Sequence, residues 1–400
     1  MTGWAALRAS AVAWWVGVVG TTAGCAASRS TAPDAQPTEP APTQTWSTTT
    51  VFRTETAATS GSARSESSAH PPRNGPPESA ALSSGLARGT GDPADLELVA
   101  GDRAFDSDDL VTARRHYERA RALAPGDPAP RVGLARVKLA ELGVALDYNS
   151  APGDPRLEGL LRELDMIVSG APNFGPAHLE RGRIALILGD APSALRSLRR
   201  AVASQPRDPE AHTAMGVALL ATGASKEALE HFRRATELDP ADPSRLTNLG
   251  TAYMMRGLVQ SAVRAYEAAV RLVPNDPRVQ GDLGTAYLAA NRPDQAMKHL
   301  QRAVELAPDR ATFLNNLGYA YQLDGKANLA IETYRRALAK DPQLGSAWIN
   351  LGTVKAQQGD YDAAEASFKK ALAIDPSDPR AQANLEELRE LRKKGIEAAP

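Results

Sequence analysis

Residues 345–378 read GSAWINLGTVKAQQGDYDAAEASFKKALAIDPSD, and this stretch decides the fold. Trp348 and Leu351 share one helix face, and Ala364, Phe368 and Ala371 share a second. Gly359 between them permits a left-handed turn, and Pro376, lacking an N–H, stops the second helix. The unit is a helical hairpin, and it recurs. Prolines stand at 125, 172, 206, 240, 274, 308, 342 and 376, spaced by 34 except for a first interval of 47. Placing each at position 32 of a repeat gives 94–127, 128–174, 175–208, 209–242, 243–276, 277–310, 311–344 and 345–378. Glycine fills position 8 in seven of the eight, from Gly101 to Gly352, and alanine fills position 20 in seven, from Ala113 to Ala364. Position 24 is always large, as in Tyr117, Phe232, Tyr266 and Phe368. In repeat 243–276 the apolar residues Leu246, Leu249 and Tyr253 mark positions 4, 7 and 11 of the first helix. Small residues at 8 and 20 let two helices approach, and because one hairpin cannot bury its own apolar face, neighbours must stack.

This pattern resembles the tetratricopeptide repeat over residues 94–378, with 345–378 matching most fully. The resemblance implies an all-α, right-handed solenoid of eight helix-turn-helix repeats with a concave groove faced by first-helix positions 2, 5, 6, 9, 12 and 13. Position 6 is Asn248, Asp282, Asn316 and Asn350 in the last four repeats, with Asn315 beside it. An Asn amide donates and accepts at once, so such a column suits the backbone of an extended peptide. Thr251, Thr285, Tyr319, Gln322 and Thr353 complete the expected groove. The earlier repeats instead offer Glu180, Arg183, Glu210, Thr213 and Val217. The family's clamp for chaperone C-terminal carboxylates needs Lys and Arg at set groove positions, and position 5 of these repeats is not lysine, so that specificity is rejected.

Two repeats depart from the pattern. Repeat 128–174 carries an extra LGVALDYNSAPGDP near 142–155, either a specificity element or a tolerated loop. Repeat 175–208 places Arg181 where its siblings have Leu or Met, which implies a snorkelling stem or a looser repeat. After the last repeat, residues 379–400 supply a charged amphipathic helix and tail, the polar-faced cap a solenoid needs.

Upstream of the repeats, residues 26–93 contain 31 Ser, Thr or Pro among 68, too little apolar surface to offset the cost of ordering, and read as a disordered linker. Residues 1–24, with a charge-free run from Ala9 to Gly24, read as a signal peptide. Thr22-Ala23-Gly24 before the single Cys25 resembles a bacterial lipobox, with Thr22 where an aliphatic residue is usual. That resemblance implies lipidation at Cys25 and, with Ala26 following, an outer-membrane lipoprotein facing the periplasm. An ordinary cleaved signal and an uncleaved anchor are the other readings of the same run.

Composition narrows the function. Lys+Arg 46 against Asp+Glu 47 gives a net charge of −1, which disfavours nucleic acid as a partner. One cysteine excludes a disulfide framework and a cysteine zinc site. His116, His231 and His299 share position 23, expected to face outward, and His178 and His212 share position 4 of adjacent repeats; no third ligand recurs with them, so no metal is expected. No phosphate loop, zincin or nucleophile-elbow motif occurs, and repeats plus cap account for the whole globular part, so neither cofactor nor catalysis is expected. The sequence thus reads as a non-catalytic interaction scaffold at a bacterial envelope, binding an extended protein segment, as in pilus, secretion or cell-envelope machinery. A regulatory or substrate-binding subunit of an envelope enzyme, or a passive spacer, are its alternatives.

Overall fold

Several first helices open on the same dipeptide, Asp-Pro. Asp127, Asp208, Asp242 and Asp276 accept the backbone N–H two residues on, at 2.7–2.9 Å, and each is followed by a proline whose missing N–H costs nothing at that position. In this computed structural model residues 85–145 and 147–397 are described; the expected signal segment, Cys25 and linker residues 26–84 lie outside them. Seventeen helices and no strand occur among the described residues, as consecutive packed pairs.

The described chain forms two units, 85–272 and 273–397. The first holds five hairpins: α1 (Pro93–Asp106) with α2 (Leu110–Leu123), α3 (Pro128–Glu141) with α4 (Pro155–Gly170), α5 (Gly175–Ile187) with α6 (Ala191–Ser204), α7 (Pro209–Ala221) with α8 (Ser225–Leu238), and α9 (Pro243–Met255) with α10 (Val259–Leu272). The second holds α11 (Pro277–Ala289) with α12 (Pro293–Leu306), α13 (Ala311–Leu323) with α14 (Ala327–Lys340), α15 (Gly345–Gln357) with α16 (Tyr361–Ile374), and the capping helix α17 (Pro379–Glu397). The cap buries Ala381, Leu385 and Leu388 against Phe368 and Ala371 of the last hairpin, and Arg392 pairs with Glu365 and Asp362.

The position-8 glycines are where the hairpin closes. A Cβ built on Gly101, Gly216, Gly318 or Gly352 would stand 2.6–2.7 Å from the ring of Tyr117, Phe232, Tyr334 or Phe368, all of which are buried. The turn then needs positive φ, supplied by Gly223, Gly257, Gly325 and Gly359 and, without glycine, by Asn291 at φ 56°.

Residues 85–93, assigned to the linker from composition, belong instead to the packed chain: Leu86 is buried with Leu98, Tyr117 and Val132, and α1 begins at Pro93. One leucine seated in the first hairpin outweighs the surrounding Ser, Thr and Gly.

Position 4 is not simply apolar. His178, His212, Gln280, Trp348 and Gln382 each send a side-chain nitrogen to the carbonyl of the proline six residues earlier, at 2.7–3.1 Å. The histidines at position 23 turn toward this same row: His116 Nδ1 lies 2.6 Å from Glu97, His231 Nδ1 3.0 Å from His212 Nδ1, and His299 Nδ1 2.8 Å from Gln280 Oε1. They are therefore intra-hairpin partners, not outward-facing residues, and His178 and His212 do not pair with one another. Because the Pro206 carbonyl only accepts, His212 carries its proton on Nε2, and His231 Nδ1–H donates to its free Nδ1. Burial, and for His231 also the neighbouring imidazole, lowers both pKa values.

A folded-state histidine held below its unfolded pKa loses stability as pH falls below about 6.5, where only the unfolded chain takes up the proton. His212→Gln recreates the native Gln280–His299 pair, donating to Pro206 and accepting from His231. The variant is expected to match the parent at pH 8 to within about 1 kcal/mol and to show a shallower loss between pH 7 and pH 5. Urea midpoints across that range measure it, and an unchanged slope would refute the pairing.

Candidate peptide-binding face

Within 273–397 the successive first helices α11, α13, α15 and α17 touch one another, so their shared face forms a continuous wall. Along it run the polar side chains of positions 6 and 9. Asn316 Nδ2 donates to Thr285 Oγ1 at 3.0 Å, Asn350 Nδ2 to Asn315 Oδ1 at 3.0 Å, and Asn384 Nδ2 to Thr353 Oγ1 at 3.4 Å. Asn315, itself buried, closes the chain by donating to Asn316 Oδ1 at 3.2 Å. Each rung joins one hairpin to the next and uses one N–H of the amide, leaving the rest of its capacity for a visiting backbone. Asn384 stands 34 residues after Asn350, on the cap; carrying the repeat period past 378 finds it.

The other expected members of this face have defined duties. Gln322 accepts from Tyr334 Oη at 2.8 Å, Thr353 donates back to Ile349 O at 2.9 Å, and Tyr319 is buried, which raises its phenol pKa. Asp282 Oδ2 is buried without a hydrogen-bond partner among the described residues, and burial pushes its carboxyl well above the usual range. Burial therefore favours the protonated acid, a donor like the amides around it. A small cleft beside Thr353 and Asn384 is lined by Gln357, Phe368, Leu388 and Leu391.

In 85–272 the corresponding face is closed by charge. Arg136 Nε donates to Glu180 Oε1 at 2.8 Å; Arg183 reaches Glu180 at 3.2 Å and also binds Glu210; Arg245 reaches Glu210 at 2.9 Å, Thr213 at 3.2 Å and Asp239 at 3.1 Å. Glu180 is 2% exposed and Arg245 7%, too deep for unpaired charges. Burial would raise Glu210, but Arg183 and Arg245 hold it lowered, while burial and Glu210 push Asp208 up to about 6. The sequence singled out Glu180, Arg183, Glu210 and Thr213 as different but gave no sign of their pairing, because Arg136 and Arg245 come from other repeats. Asn248 lies in this unit, 2% exposed, with Nδ2 unpartnered among the described residues, and Thr251 Oγ1 is engaged by Tyr266 Oη at 2.9 Å and Thr247 O at 3.1 Å.

The 142–155 insertion is tied down here. Asn149 and Ala151 donate backbone N–H groups to the carbonyls of Leu186 and Ile187 at 2.9 and 3.2 Å, and Tyr148 Oη reaches Gly189 O at 3.2 Å. It satisfies carbonyls at the end of α5 that the helix itself leaves open. Arg181 is held by Asp165 at 2.5 Å and Ser197 at 2.7 Å, so its repeat is braced, not loosened. Among the described residues no group of three His, Cys, Asp or Glu is placed to hold a metal.

Residues 179–243, 253–315 and 309–377 each match a family described as tetratricopeptide repeat, and the chain carries that repeat. No curated protein matches it. Among solved structures it is similar to the APC/C hetero-tetramer Cut9-Hcn1, with a TM-score of 0.55 at 18% identity over 74% of this chain. The match spans 56% of that chain's length, so the likeness is one of fold. Lower similarity links it to Pseudomonas aeruginosa pilF, at TM-score 0.46 and 20% identity over 53% of this chain and 97% of that one. YrrB, a TPR protein with an unusual peptide-binding site, scores 0.39 at 22% identity over 47% of this chain and 97% of that one.

The two faces should respond differently to truncation. Glu180→Ala removes the buried carboxylate that Arg136 and Arg183 share, Arg183 keeping Glu210, and is expected to cost about 3–5 kcal/mol. Asn350→Ala removes one neutral hydrogen bond and is expected to cost about 1 kcal/mol. Urea unfolding of the two variants tests this, and equal small losses would refute the buried-charge reading of 85–272.

Proposed function

We propose that this protein is a non-catalytic scaffold that holds an extended segment of a partner protein against the amide ladder of residues 273–397. The observation carrying this is the rung-by-rung tethering of Asn316, Asn350 and Asn384 to Thr285, Asn315 and Thr353. Amides fixed in this way lose little freedom when a backbone docks, and a backbone supplies matching donors and acceptors along its length. Such a face selects an extended conformation first and side chains second. Within the tetratricopeptide fold this is the interaction-scaffold role, and the partner is a protein segment.

The address is proposed from the sequence. The charge-free run before Cys25 and the small residues preceding it support export and lipidation, with the Ser/Thr/Pro-rich segment joining the anchor to the repeats. Held on an outer-membrane anchor and facing the periplasm, the repeats would present a partner to envelope machinery. Among the described residues no helix is long and apolar enough to cross a membrane.

Two experiments bear on these readings. Crosslinking and pull-down from a host carrying the full chain should recover a partner that Asn316→Ala with Asn350→Ala releases while far-UV circular dichroism stays unchanged; full retention by the folded double variant would overturn the ladder assignment. Mass spectrometry of the exported protein should find Cys25 as an acylated first residue, with Cys25→Ser leaving the membrane fraction. An unmodified terminus elsewhere would refute the anchor.

A further inference from the structure

The segment 85–91 has no helix or strand of its own, yet its main chain is held against α1. Asp102 Oδ2 accepts the backbone N–H of Leu86 at 2.6 Å and of Ala87 at 3.3 Å. Asp95 accepts the N–H of Arg88 at 2.6 Å and of Gly91 at 3.2 Å. Leu86 is 2% exposed and joins the cluster of Leu98, Tyr117 and Val132. Arg88 pairs with Asp127 and stands 5.9 Å over the ring of Phe174. Gly89 and Gly91, at φ 71° and 74°, turn the chain so that it runs back along the helix it precedes.

The residues making these contacts are not arbitrary ones. Asp95, Leu98 and Asp102 occupy positions 2, 5 and 9 of the first repeat. Position 9 is the row that holds Thr285 and Thr353 in the amide ladder. The strap is thus held as an extended ligand would be: main-chain N–H groups on side-chain oxygens, one apolar anchor in a pocket, and one cation on an acid and an aromatic face. Asp95 is 4% exposed and accepts from the strap amides of Arg88 and Gly91, so this buried carboxylate is matched to a backbone that crosses it.

We infer that the inner face of α1 is a peptide-docking site in its own right, which the chain fills with its own residues 85–91. Displacing that strap opens the site to an extended partner segment carrying a leucine and, two residues on, an arginine. The strap occupies the site at high effective concentration because it is joined to α1 by a few residues, so a partner must bring further contacts to replace it. This goes beyond the ladder reading, since it concerns a different hairpin and an acidic, not amide, lining. A plain terminal cap would share the burial of Leu86 but would have no affinity for the same sequence supplied separately.

The test uses the full chain and a fluorescent synthetic peptide of residues 85–92. In the parent protein the amides of Leu86, Ala87 and Arg88 should exchange with deuterium at least about tenfold more slowly than free-peptide rates; free exchange would overturn the strap. The parent should bind the added peptide poorly, whereas Leu86→Asp with Arg88→Glu, which ejects the strap, should bind it at least about tenfold more tightly. Adding Asp95→Asn and Asp102→Asn to that variant should abolish the gain. Should the double variant lose helicity, Leu86→Ser is the milder release for the same titration. A folded, strap-released chain that ignores the peptide, or equal binding by parent and released chain, would reduce the segment to a cap and sink the proposal.

Discussion

Everything in this structure depends on a close approach between two helices that no side chain interrupts. At Gly101, Gly216, Gly318 and Gly352 even a methyl group would meet a buried ring. The ring lies across the first helix because the glycine leaves room, and its far edge reaches the opposite face. Tyr117 thereby donates to Asp102 at 2.8 Å, Tyr334 to Gln322 at 2.8 Å, and Tyr266 meets Thr251 at 2.9 Å. One packing device thus ties the core of a hairpin to the polar residues of its inner face. Alanine at these positions would gain helix propensity of about 1 kcal/mol but would overpack the core at a cost of about 1–3 kcal/mol, so the glycine is held by sterics.

A second device fixes one hairpin to the next. The chain leaves a second helix through a proline that cannot donate, and that proline's carbonyl needs a partner. His178, His212, Gln280, Trp348 and Gln382 supply it from position 4 of the following first helix. The donor changes from imidazole to amide to indole while the acceptor stays constant. This explains why position 4 looks inconsistent as an apolar position yet behaves consistently as a donor site. It also explains the histidines at position 23, which complete the hydrogen bonding of whichever side chain stands opposite.

The architecture was legible because it is periodic. Prolines at an interval of 34, glycines at position 8 and the turn residues between the two helices each report a local steric requirement, and from Gly175 to Ile374 the helices alternate at that same period. What the sequence hid was pairing between repeats. Arg136 and Glu180 are 44 residues apart, and Arg245 and Glu210 are 35 apart; nothing local in either member announces the other. The strap was hidden for a related reason. A segment rich in Gly, Ser and Thr reads as linker by composition, but composition averages over Leu86, whose single pocket decides where packing begins. The position-6 residues were legible as a column, whereas their tethering to Thr285, Asn315 and Thr353 depends on the spacing of successive hairpins, which one repeat does not encode.

The same face therefore carries two chemistries that a repeat count cannot tell apart. In 85–272 it is filled: a strap over α1 and buried ion pairs linking Glu180 and Glu210 to three arginines. Ionic groups at that depth add little net stability over an apolar core, but they penalise any register in which they lose their partners. In 273–397 the same positions carry neutral amides, which tolerate both water and a visiting backbone without a charge to neutralise. Within 85–272 most polar groups of that face already have intramolecular partners, whereas within 273–397 part of their hydrogen-bonding capacity is kept aligned and unspent.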